Sequence, residues 1–164
     1  RILLQICFND AKSLGMVIHY HNRSKLDSGK ENGAIYHKTL ESLMSVSDVL
    51  SVCCPASKET INLINKKTIS LLPDGAIVTN VARGDIVDDD ALIEALDSKK
   101  VSAVGLDVYK NEPKLNPGYL KHSRAFVLPH LGSATFETRT AMANLAIDNI
   151  SEFFETGSCK NKVN

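Results

Sequence analysis

Neither sign of charge prevails in this sequence: 19 basic residues meet 19 acidic ones, for a formal charge of zero. That balance removes the electrostatic basis for binding nucleic acid or an anionic membrane surface. The four cysteines, Cys7, Cys53, Cys54 and Cys159, match neither a zinc framework nor a redox pair, so no metal site is expected. Cys53 and Cys54 sit in an apolar run and read as small buried hydrophobes. A reducing cytoplasm follows as the expected location. The opening RILLQICF is too short to span a bilayer and lacks the charged lead and cleavage site of a signal peptide. There is no internal repeat, no low-complexity segment and no domain linker. The first residue is Arg1 rather than Met, and the start reads as a cut end.

What is present suits a globular fold. With 164 residues, 43% apolar and 23% charged, the chain can bury a sizeable core. Leu3, Cys7, Ala11 and Leu14 recur at helical spacing, which predicts a helix over 2–14 closed by Gly15. A strand over RILLQICF is the rival, and it leaves too few residues for a parallel crossover. Residues 16–21 read as a strand, 22–29 as a polar turn and 34–36 as a short extended piece. Thr39 caps a helix to Val46. The segment 48–54 is a near-continuous apolar strand stopped by Pro55, as in strands buried on both faces. Asn65 opens a helix that ends before Pro73, Asp74 and Gly75 turn into a strand over 76–81, and Asp88 caps DDDALIEALDSK. The strands AVGLDV and AFVLPH follow, then a long helix from about Thr135 to Glu155. This alternation predicts an α/β, doubly wound parallel sheet with helices on both faces. Residues 1–134 fall in that sheet domain, and 135–164 form a C-terminal helix and tail.

Ligands of such sheets bind beyond the carboxyl ends of the strands. Those ends carry Asn22, Arg23 and Ser24; Cys54 and Pro55; Val81, Ala82 and Arg83; Asp107 with Glu112; and His130 with Gly132 and Ser133. The last two strand ends place Glu112 where it can meet His130. A glutamate beside a histidine orients the imidazole and favours its charged form, which makes the ring a general acid near neutral pH. A packed, hydrogen-bonded histidine after a strand is the plain alternative. Hydrolase chemistry would need a nucleophile elbow, and neither Ser133 nor Cys54 sits in one.

Three ordered segments, NVARGDIVDDDALIEAL, GLDVYKNEP and LPHLGSATFETR, resemble the signatures of the D-isomer-specific 2-hydroxyacid dehydrogenases, closest to the glyoxylate/hydroxypyruvate reductases. The resemblance runs from about Leu14 to Val163-Asn164. It implies a Rossmann-like fold and a hydride transfer from NAD(P)H to a small 2-oxo acid, the reverse reaction starting from the 2-hydroxy acid. Arg83 matches the substrate-binding arginine, whose planar fork can grip a carboxylate and a keto oxygen together. His130 matches the catalytic acid and Glu112 its partner. Asp107 resembles the residue near the nicotinamide amide. Asn22, Arg23, Ser24, Cys54, Pro55, Val81, Ala82, Arg83, Asp107, His130 and Gly132 form the expected cofactor-binding set. A homodimer is also implied.

NAD-preferring sites place an acid after the second strand, on the ribose 2′-hydroxyl. Here that position reads His-Asn-Arg-Ser, with no acid until Asp27. Arg23, with Asn22 and Ser24, suits a 2′-phosphate, so NADP is the expected cofactor, with NAD the alternative and a solvated turn the plain reading. The family's first strand and Gly-rich phosphate loop are missing, and Arg1-Ile2 reads as the tail of that loop. The piece alone is therefore expected to have a gap in its sheet, to be weakly folded and to be inactive. A non-catalytic nucleotide-binding or oligomerisation module, corepressor-like, is the alternative function.

Overall fold

A computed structural model describes the backbone of residues 2–162 and the side chains from Phe8 onward. Arg1, Val163, Asn164 and the side-chain stripe begun by Leu3 and Cys7 lie outside the described residues. The chain divides into two compact units, 1–129 and 130–164.

The first unit opens with helix α1, Ile2–Ser13. It ends as expected of a glycine stop: Gly15 has φ +81° and donates its N–H to the Lys12 carbonyl at 2.9 Å. Strand and helix then alternate: β1 (His19–Tyr20), α2 (Ser28–Glu31), β2 (Ile35–Tyr36), α3 (Leu40–Met44), β3 (Val49–Val52), α4 (Lys66–Ile69), β4 (Ala76–Asn80), α5 (Asp89–Asp97), β5 (Val101–Leu106) and β6 (Ala125–Val127). Every strand pair is parallel. Helix starts lie where polar caps stand. The Thr39 hydroxyl accepts from Ser42 N–H, Asn65 from Lys67 and Thr68, and Asp88 from Ala91.

The strands form two sheets, β1-β2 and β3-β4-β5-β6. Among the described residues β1 and β3 are not paired, and β1 is two residues long rather than the expected run over 16–21. Its Ile18 and Tyr20 carbonyls accept from Ile35 and His37 N–H, so β1 is paired along one edge. The reading of β3 is corrected too. Leu50 and Val52 are buried, whereas Val49 is 41% exposed, so β3 buries one face rather than two; Ile77, beside Val49 on β4, is exposed as well, so it is the face rather than the edge that is uncovered.

The core of this unit is built from Met44, Val78, Ile86, Leu92, Leu96 and Val101, all fully buried, with Leu50, Val52, Val104 and Leu106 around them. One polar pair enters it. The Tyr119 hydroxyl donates to Asp89 Oδ1 at 2.9 Å, with both residues buried. Burial, ahead of any neighbouring charge, pushes both groups upward in pKa.

The second unit holds helix α6, Phe136–Thr156, capped by Thr135 and closed by Gly157 at φ +75°. Its tail folds back, with Lys160 N–H donating to Glu152 Oε2 at 3.0 Å and Asn161 N–H to Asn149 Oδ1 at 3.4 Å. The apolar positions Met142, Leu145, Ile150 and Phe153 are each more than half exposed. No described helix is long and apolar enough to cross a membrane.

Candidate functional site

The first unit gathers its strand-end residues as the parallel topology requires. After β4, the turn carrying Val81, Ala82 and Arg83 is organised by Asn80, which is 1% exposed. Its amide donates to the Arg83 carbonyl at 2.9 Å and accepts from Ala82 N–H at 3.0 Å, while its own carbonyl accepts from Asp107 N–H at 3.0 Å. One buried side chain thus fixes the Arg83 backbone, and its main chain ties in the end of β5. Arg83 is exposed, with Nη1 donating to the Ala82 carbonyl at 2.6 Å.

Gly84 supplies the second constraint. A Cβ there would be driven into the backbone of Tyr109 and Lys110. The turn after β4 therefore packs against the 109–112 loop at a distance only glycine allows. In that loop Tyr109 N–H donates to Glu112 Oε1 at 3.1 Å. The backbone at Arg83–Gly84 is thereby held to the loop that follows Asp107 and carries Glu112. A cleft of about 890 Å³ lies beside it, between Asp88–Asp90 and the 110–117 loop; Glu112 lines it, and Arg83 and Asp107 do not.

After β1, the Asn22–Ser24 turn is held by hydroxyls. Leu26 N–H donates to the Tyr20 hydroxyl at 3.0 Å, which in turn donates to Glu31 Oε1 at 2.5 Å, and Lys25 pairs with Glu31 at 3.6 Å. Burial raises the Tyr20 pKa, and the Glu31 hydrogen bond adds to the rise. Tyr36 reaches the Asn22 carbonyl at 3.4 Å. Arg23, Ser24 and Lys25 are exposed. After β3, burial pushes the Cys54 thiol upward, which keeps it protonated and unfit as a nucleophile. Pro55 leads into a loop closed by Thr60, whose hydroxyl donates to the Pro55 carbonyl at 2.8 Å.

His130 and Gly132 belong to the second unit, and His130 has φ +57°. Among the described residues, no group of three or more His, Cys, Asp or Glu is arranged to hold a metal ion.

Comparison with known proteins settles the family. The model for the D-isomer specific 2-hydroxyacid dehydrogenase, NAD binding domain, matches residues 5–132. The chain belongs to this family. It is 40% identical over 149 residues to the 4-methyl-2-oxopentanoate reductase A of Aspergillus oryzae, covering 91% of this chain and 45% of the relative. Among solved structures, a glyoxylate reductase from Paecilomyes thermophila superposes with TM-score 0.86 at 41% identity, over 94% of this chain and 47% of that one. An NADPH-dependent glyoxylate/hydroxypyruvate reductase from Sinorhizobium meliloti, solved with NADP and malonate, gives TM-score 0.86 at 34% identity, over 93% and 47%. The chain thus spans about half the length of these relatives.

A nicotinamide cofactor is the group this family binds, and the described residues fit part of it. The exposed cations of the turn after β1 and the strand ends tied by Asn80 suit its two ends. No Gly-rich turn for the pyrophosphate occurs in the sequence. Sequence reasoning missed Asn80 and Tyr119. Asn80 carried a signal: along β4 it shares the inward parity of Ala76 and Val78.

Proposed function

We propose that these residues belong to a reductase that converts a small 2-oxo acid, of the glyoxylate or hydroxypyruvate type, to the 2-hydroxy acid. The observation that carries this reading is Gly84 locking the Arg83 turn against the loop of Glu112. Arg83 binds the substrate's carboxylate and keto oxygen through its planar fork, which orients the carbonyl and draws electron density toward its oxygen. A nicotinamide held by this chain would supply the hydride that the carbonyl carbon accepts. The resemblance gives His130 the role of the acid that protonates the keto oxygen and Glu112 that of its partner, since a carboxylate beside an imidazole orients it and favours its charged form. The resemblance likewise gives Asp107 the place near the nicotinamide amide and counts Val81, Ala82, Cys54, Pro55 and Gly132 in the cofactor-binding set.

NADP is the proposed cofactor. Arg23 and Ser24 are exposed beside Asn22; of the acids near the turn, Glu31 is engaged by Tyr20 and Lys25 and Asp27 by Lys30, while Glu59 feels the charge of Arg23. The glyoxylate and hydroxypyruvate reductases among the relatives support the substrate class. The resemblance further implies a homodimer, and the cysteine pattern a reducing cytoplasm. The 164 residues alone are inactive in this reading, because none of them supplies the pyrophosphate turn.

Catalytic efficiency with NADPH and with NADH, at fixed glyoxylate, tests the reading in a polypeptide that carries a Gly-rich turn before Ile2. Turnover with NADPH favoured is the expected result. A clear NADH preference overturns the cofactor assignment, and no turnover with any small 2-oxo acid overturns the function.

A further inference from the structure

Three successive residues of the first strand segment hold one histidine. His37 gives its backbone N–H to the Tyr20 carbonyl at 2.7 Å, its Nε2 lies 2.8 Å from His19 Nδ1, and its carbonyl lies 2.9 Å from His21 Nδ1. The remaining ring nitrogen, His37 Nδ1, lies 3.1 Å from Ser42 Oγ, and that hydroxyl donates to the Thr39 carbonyl at 3.0 Å.

These contacts fit one arrangement of protons, in which the Ser42 hydroxyl donates to the Thr39 carbonyl, a group that can only accept. Ser42 Oγ then accepts from His37 Nδ1–H, which leaves His37 Nε2 as a lone pair, and His19 Nδ1–H donates to it. His21 donates to the His37 carbonyl by the same rule. The proton relay runs one way, from His19 through His37 and Ser42 to the first turn of α3.

We propose that His37 is a proton-operated latch: neutral, it holds β1 to the exit of β2 and the start of α3; protonated at Nε2, it lets go. A proton added at the His37 lone pair removes the acceptor that the His19 Nδ1–H needs. Among the facing groups, His21 opposes charge on His37. Asp48 lines the same cleft of about 300 Å³ as His19. Lys38 and Glu41, the charged neighbours of His37 in sequence, are exposed.

The neutral form of His37 is already favoured, first by burial and then by the nearness of His19 and His21. The sign follows from that depressed folded-state pKa. The contribution to stability is complete above the unfolded histidine value, about 6.5, and is lost as pH falls below it. Release slackens the Asn22–Ser24 turn that follows His21. Its consequence for cofactor affinity rests on the proposed role of that turn.

The test is ¹⁵N NMR of the imidazole nitrogens, together with amide exchange of Ile35 and His37, across the histidine titration range. Above that range His37 shows a protonated Nδ1 and a bare Nε2. On acidification both amides lose at least tenfold in protection, beyond the intrinsic change in exchange. His19→Gln keeps a donor but removes the neighbouring charge that opposes protonation of His37, so the midpoint rises. The opposite tautomer of His37, protection that does not change with pH, or an unchanged midpoint in His19→Gln would each overturn the proposal. Binding of adenosine 2′,5′-bisphosphate is read alongside, in a polypeptide that carries a Gly-rich turn before Ile2. If the latch titrates as described and this probe does not bind at any pH, the latch stands and the cofactor reading falls.

Discussion

The turn after β4 and the turn after β1 both close parallel strands, and they are held by opposite means. Asn80, fully buried, fixes the first from inside, and Gly84 presses it against the Tyr109–Lys110 backbone. The second is exposed at Arg23, Ser24 and Lys25 and hangs from the Tyr20 and Tyr36 hydroxyls. A buried amide in a low-dielectric site resists displacement, whereas exposed cations move at little cost. The proposed function accounts for the difference: a carbonyl that must meet a hydride and a proton together needs strict geometry, whereas a cation that only has to find a phosphate does not.

Four substitutions would break or sharpen that contrast. Gly84→Ala should be the most damaging. Its Cβ forces the two loops apart, which should cost about 3 kcal/mol in urea unfolding, and the misplaced Arg83 should lower kcat/KM by about 10²-fold. Asn80→Ala leaves the Ala82 N–H and the Arg83 carbonyl without their partner, for about 2 kcal/mol of stability and a further loss in kcat. Arg23→Ala should do the reverse. Stability should stay within about 0.5 kcal/mol of the parent, while the KM for NADPH rises about 10- to 100-fold and that for NADH is unmoved. Tyr20→Phe removes the acceptor of Leu26 N–H and should cost about 1 kcal/mol, with a smaller rise in the KM for NADPH. Equal losses from Arg23→Ala and Asn80→Ala in stability would erase the contrast.

The helix starts at Thr39, Asn65, Asp88 and Thr135 were legible in the sequence because a cap is a local matter, settled within four residues. The parallel α/β order was legible from alternation alone. Strand lengths and burial were not. β1 is shorter than its apolar run, and β3 exposes Val49 as β4 exposes Ile77 because nothing in the first unit covers that face there, and apolar content is blind to both. In the site, Arg83 and Glu112 could be named from their segments. The agents that bring them together could not, since the Gly84 contact with Tyr109 depends on two loops meeting across the sheet. Tyr119, thirty residues from Asp89, was invisible for the same reason.

Conversion of His130 to Gln tests the central claim most directly, in a polypeptide that turns over glyoxylate with NADPH. Glutamine keeps a polar side chain of similar reach and cannot act as the acid. The account predicts a fall in kcat of about 10²- to 10⁴-fold with NADPH binding retained. A kcat within about twofold of the parent, set against the same expectation for an acid catalyst, would contradict it.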